Sequence, residues 1–172
     1  MKKFLLACCC SILFLSGYAL AGDGTIGTTS SGESSIQVSI QQAMQITSVD
    51  NITIIIAPGD LGTTKTGGDD ICVFSNQGSN YNVTVDSLNG DGNFVAVMGE
   101  KGINYTVQWD DGTTTHDLTE NTAQLCSGAS QVLDCGGEDN ATIILSVNTS
   151  TGDVTAGTYT DTLTITIEPE LS

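Results

Sequence analysis

Between Thr158 and Ile167 every second residue is a threonine, while Tyr159, Asp161, Leu163, Ile165 and Ile167 occupy the alternate positions. A period of two commits this segment to a β-strand with one apolar and one polar face, because successive side chains leave a strand on opposite sides. Asp161 on the apolar parity predicts that the first residues lie at the rim of the sheet. Pro169 lacks a backbone donor and ends the strand.

The same texture runs from Ile36 onward, as short β-branched runs divided by Gly, Asn, Asp and Ser clusters. Ile36, Val38 and Ile40 alternate with polar residues, and further runs cover residues 52–56, 71–75, 81–88, 94–98, 103–109, 113–118, 141–147 and 158–167. About nine strands with one wet and one apolar face predict an all-β, antiparallel sandwich. Asp111-Gly112 and the Asn89-Gly90-Asp91-Gly92 stretch have hairpin-turn chemistry. Only residues 41–47 have the look of a helical turn, and they are too short to stand alone.

Ahead of the strands stand Lys2 and Lys3, an apolar stretch from Phe4 to Leu15, and Ala19-Leu20-Ala21 before Gly22. These are the three parts of a secretory signal with an A-x-A cleavage site, so residues 1–21 are expected to be removed by cleavage between Ala21 and Gly22. A competing reading makes Leu5-Leu6-Ala7-Cys8 a lipobox, with too few apolar residues before Cys8 for an ordinary signal core. The apolar stretch is shorter than a membrane span, so no membrane insertion is expected after cleavage. The predicted organisation is a signal at 1–21, a flexible arm at 22–35, a sandwich at 36–169 and a tail at 170–172. The protein is expected in the periplasm, on the cell surface or outside the cell.

Cleavage leaves Lys65 and Lys101 against 20 acidic side chains. Such a surface repels phosphate backbones, which argues against nucleic acid as a partner. His116, the single histidine, has no nucleophile motif around it, and it is read as a solvent-facing strand residue. No enzyme activity is expected. Zinc lacks ligands, and no cofactor is predicted. Calcium is the ion the composition best admits, and its best window is Asn89, Asp91, Asn93 and Glu100. Phe94 stands where an EF-hand loop needs glycine, however, so the window is read as a turn. Asp69-Asp70 and Glu138-Asp139-Asn140 are read as solvated loop charges. The five N-x-[ST] sequons decide nothing, since a threonine-rich chain makes them by chance.

Three cysteines lie beyond the signal: Cys72, Cys126 and Cys135. In an oxidising compartment two should pair and one stay single, and spacing does not say which.

Asp70-Ile71-Cys72-Val73-Phe74-Ser75-Asn76, then residues 81–85, 103–109 and 135–142, and above all Ala156-Gly157-Thr158-Tyr159-Thr160-Asp161-Thr162-Leu163-Thr164-Ile165-Thr166-Ile167, carry a family likeness. On these stretches the chain resembles the spore-coat-U-like, pilin-like domains of bacteria, relatives of archaic chaperone–usher fimbrial subunits. The resemblance implies an immunoglobulin-like sandwich and a structural, non-enzymatic role. It also implies self-association through edge strands, with a periplasmic chaperone and an usher as partners. It pairs Cys72 with Cys135, and the local pair Cys126–Cys135 stays open beside it. Two departures stand out: the arm at 22–35 lacks alternating apolar residues, which leaves Ile36, Val38 and Ile40 as the donor strand, and the first strand carries no cysteine. The alternative function is a stand-alone extracellular binding module, calcium-dependent or adhesin-like.

Overall fold

The computed structural model describes residues 22–149 and 154–170. The chain divides at Ile40 into two units. In the first, described from Gly22, the backbones of Gly22 and Glu33 exchange hydrogen bonds of 3.0 and 3.1 Å. Ile36, Val38 and Ile40, read above as a strand, belong to no ladder and remain 88, 80 and 83% exposed.

The second unit, from Gln41 on, is an antiparallel β-sandwich. Its strands are β1 (Met44–Thr47), β2 (Thr64–Ser75), β3 (Tyr81–Ser87), β4 (Val95–Met98), β5 (Lys101–Asp110), β6 (Thr115–Asp117), β7 (Gln124–Cys126), β8 (Ala141–Asn148) and β9 (Leu163–Pro169). One sheet has the order β1-β2-β8-β5-β4, with β6 also on β5; the other has three strands, β7-β3-β9. The core forms where the inward parities meet, with Ile71 and Val73 of β2, Val83 and Val85 of β3, and Val107 and Trp109 of β5 fully buried.

Several elements differ from the sequence expectation, each for a tertiary reason. Residues 44–47 form a strand because the C-terminal half of β2 offers them a ladder, pairing Met44 with Ser75 and Thr47 with Cys72. Residues 52–56 are extended but unladdered, and β7 was not foreseen, being three residues long. The Asn89-Gly90-Asp91-Gly92 stretch is no hairpin, since it carries the chain from β3 in one sheet to β4 in the other. The last strand begins at Leu163, because Thr160 instead bridges Val97 at the edge of the other sheet. Asp161 is the corner between them, accepting hydrogen bonds from Tyr105 Oη (2.5 Å), Ser87 Oγ (2.6 Å), the Thr162 N–H (2.7 Å) and Asn89 Nδ2 (2.9 Å).

Polar locks complete the interior. Trp109 Nε1 donates to Tyr81 Oη across the sandwich at 2.9 Å, so both buried aromatics are satisfied. Tyr81→Phe would leave the indole N–H without an acceptor, and a urea titration should show a loss of about 1–3 kcal/mol. Asn140 Oδ1 accepts the Val73 N–H at 2.8 Å, while its Nδ2 donates to the carbonyls of Val73 and Gly128 at 2.9 Å each. The expected solvated loop residue is therefore a clamp between segments. A disulfide joins Cys72 to Cys135, with 5.8 Å between their Cα atoms, and Cys126 is a buried free thiol.

Candidate functional site

The two layers are unequal. A three-stranded sheet faces one of six strands, and β9 has a ladder partner, β3, along one edge alone among the described residues. On β3 the inward residues Tyr81, Val83 and Val85 are fully buried, whereas Leu163, Ile165 and Ile167 on β9 are only half covered. Both strands carry the same inward alternation, so the difference comes from what lies beside β9.

The segment at residues 51–57 joins no ladder, yet alternate side chains of it are covered. Ile52, Ile54 and Ile56 are half-buried, while their neighbours face solvent. Ile52 and Ile54 lie against Gly67 of β2, where an added Cβ would come within 3.1 Å of Ile52 and 2.9 Å of Ile54. The glycine thus lets two isoleucines rest on the inner face of the large sheet, beside Leu145, its partner on β8. Residues 51–56 make no backbone–backbone hydrogen bond among the described residues. An extended segment with unpaired N–H and C=O groups is a template for a further strand.

A second cluster gathers Asp111, His116 and Cys126, whose ligand-type atoms lie within 4.8 Å of one another. Asp111 is 3% exposed. Its Oδ1 accepts from the Thr113 N–H (2.9 Å), Thr113 Oγ1 (2.6 Å) and the Thr114 N–H (2.8 Å). Its Oδ2 accepts from the Ser127 N–H (2.9 Å) and Ser127 Oγ (3.1 Å), and His116 Nε2 stands 3.3 Å away. Burial pushes the Asp111 carboxyl up, but the donors from Thr113, Ser127 and Thr114 outweigh it and hold the group well below the usual carboxylate range. Burial, helped by the Asp111 charge, pushes the Cys126 thiol up to about 12, so it keeps its proton at neutral pH.

Five donors from Thr113, Thr114 and Ser127 already surround the carboxylate, and the thiol beside it is protonated. It is a turn lock. His116 is accordingly half-buried and not solvent-facing: Nε2–H points to Asp111, and Nδ1 accepts from Gln124 Nε2 at 3.3 Å. Asp111→Asn would set an amide against donors and should cost about 3 kcal/mol, seen as a lower denaturation midpoint. Because the folded carboxyl titrates below its ordinary 3.8, its stabilisation is complete above that pH and is lost on further acidification. In an acid titration the gap between wild type and variant should therefore begin to narrow below about pH 4 and close only once the folded carboxyl itself takes up a proton.

The other sequence candidates fall in different places. Ala19 and Ala21, expected to precede the cleavage point, lie outside the described residues, and Gly22 is the first that is described. The calcium window does not assemble as spaced. The Asn89 amide nitrogen donates to Asp161 and the Thr160 carbonyl, and Glu100 sits at the opposite end of β4, in the turn to β5.

No family model matches the sequence, and no curated protein matches it. A solved structure does: a chain from the chaperone–tip adhesin complex described as vital for synergistic activation of CFA/I fimbriae biogenesis. It is 17% identical, with a TM-score of 0.53, over 74% of this chain and 42% of that one. The likeness is one of fold. This chain is an all-β sandwich of two antiparallel sheets, as the strand pattern predicted, and it spans less than half the length of that neighbour. No helix among the described residues is long and apolar enough to cross a membrane.

Proposed function

We propose that this protein is a fimbrial subunit of the exported, pilin-like kind, built to be completed by a strand from another copy. One observation carries the reading: β9 has an unladdered edge and half-covered inward residues, while Ile36, Val38 and Ile40 are exposed and partnerless among the described residues. Slot and strand have the same period-two apolar pattern. A strand laid along β9 would pair main chain to main chain and place alternate side chains inward, over Leu163, Ile165 and Ile167. Cleavage after Ala21 would leave the segment near a free N-terminus, where it could reach a neighbour.

Before assembly such a slot needs temporary cover, since an exposed apolar edge aggregates. A periplasmic chaperone would supply that cover and an usher would order the exchange, as in the archaic systems the sequence resembles. The protein would then act at the cell surface as a structural, non-enzymatic element.

Surface material sheared from producing cells tests this directly. Loaded unheated, it should run as a ladder with a spacing of one subunit, and heating should collapse it to the monomer. A protein that stays monomeric in every fraction would overturn the proposal.

A further inference from the structure

Residues 41–43 open the second unit, just ahead of β1, and one side chain ties most of their backbone down. Asn76, the first residue after β2, donates from Nδ2 to the Gln41 carbonyl at 2.8 Å, and its Oδ1 accepts the Ala43 N–H at 2.9 Å. Its own N–H goes to the Ala43 carbonyl at 3.2 Å. A carboxamide carries the same donor and acceptor as a peptide group, so Asn76 prolongs the β1–β2 ladder beyond its last pair, Met44 with Ser75. Gln77 braces this end: its N–H donates to the Oγ of fully buried Ser75 at 3.1 Å, and its Oε1 accepts from Gln42 Nε2 at 3.0 Å.

Each of these bonds is exposed and weak by itself, but the two from the Asn76 side chain together favour the closed strand end by about tenfold or more. Their position matters because of what precedes it. Ile40, the last of the three exposed apolar residues, is joined to Gln41 by a single peptide bond. Between the Ile40 side chain and the clamped Gln41 carbonyl lie only the backbone torsions of these two residues. The Gly, Ser and Thr residues that would make a flexible connection are all on the other side of the apolar set, in residues 22–35, whereas Gln41-Gln42-Ala43 has none of them.

We infer that Asn76 is a positioning residue for the junction between two copies of this chain: by clamping Gln41 and Ala43 it makes the donated strand leave its own sandwich without a free linker, so that consecutive subunits meet in a stiff joint. The inference rests on the strand-donation reading above and concerns how the fibre bends, not whether copies join. Losing the two side-chain bonds would release Gln41, Gln42 and the Ala43 N–H. A flexible stretch of two or three residues gives each joint about 8–10 Å of play.

Electron micrographs of sheared fibres test this, because the persistence length is read from their curvature. Asn76→Ala should keep the heat-sensitive gel ladder, lower the Tm of the monomer by no more than about 4 °C, and shorten the persistence length by about twofold or more. Asn76→Asp still accepts from Ala43 but cannot donate to Gln41, and it should fall between the two. Gln77→Ala removes contacts between side chains only and should bend like wild type. Hydrogen exchange on the secreted protein adds a reading that needs no fibre: the Ala43 amide should exchange slowly in wild type and fast in Asn76→Ala. Equal persistence lengths for wild type and Asn76→Ala would overturn the inference while strand donation stands. So would an unprotected Ala43 amide in wild type, or an Asn76→Ala protein that gives no gel ladder. A wild type without a gel ladder would overturn both readings.

Discussion

Protein carrying Val38→Asp should be exported at wild-type levels and yet give no heat-sensitive ladder. Val38 is the central member of the Ile36, Val38, Ile40 set, is exposed and belongs to no ladder, so the change should leave the fold of the sandwich alone. Seating three such side chains in an apolar slot is worth about 1.5–3 kcal/mol each. A carboxylate in the middle position replaces one of those gains by a penalty of several kcal/mol. Together the two terms weaken donation by about a thousandfold or more. Ser39→Asp, one residue on, falls on the outward parity and should leave the ladder intact. Equal ladders from both variants would show that the apolar parity of residues 36–40 is not what joins the copies.

The second large effect concerns the covalent bridge. Replacing Cys72 and Cys135 together by serine should lower the unfolding free energy by about 4 kcal/mol, because their separation of 63 residues makes the closed loop long. The loss should appear as a Tm fall of about 8–16 °C. Removal also frees the turn at Asp134, Cys135 and Gly136, whose φ values of 53, 51 and 71° lie in the left-handed region and are held there by the crosslink to β2. Cys126→Ala removes no bridge and only a buried thiol, and it should cost about 1 kcal/mol. A double variant that melts within 2 °C of wild type would mean that the β2–β8 ladder and the Asn140 clamp position this turn unaided.

Much of the assembly reading rests on what the sandwich lacks. Complete two-layer folds cover one sheet with the other, whereas here three laddered strands face six. Leu163, Ile165 and Ile167 on β9 are accordingly only half covered.

Period-two alternation and turn residues were enough to make this an all-β sandwich, because which face of a strand is buried is written locally, residue by residue. β3, β5 and β8 could be placed to within a few residues on that basis. Three tandem residues such as 124–126 carry no such period, and residues 44–47 became a strand only because β2 lay alongside. Spacing also left the disulfide open, since pairing depends on where Cα atoms meet in space; the fold brings Cys72 to Cys135 and buries Cys126. Asp111 and Asn140 looked like ordinary polar loop residues, and Asp161 like a rim position of the last strand. Their roles follow from the donors that distant segments do or do not bring to them. Sequence by itself thus determined the alternation, the acidity and the apolar parity of 36–40. Tertiary structure alone decided which edge is left unpaired among the described residues and which carboxylates are locked by donors, because a hydrogen bond or its absence is a property of two segments at once.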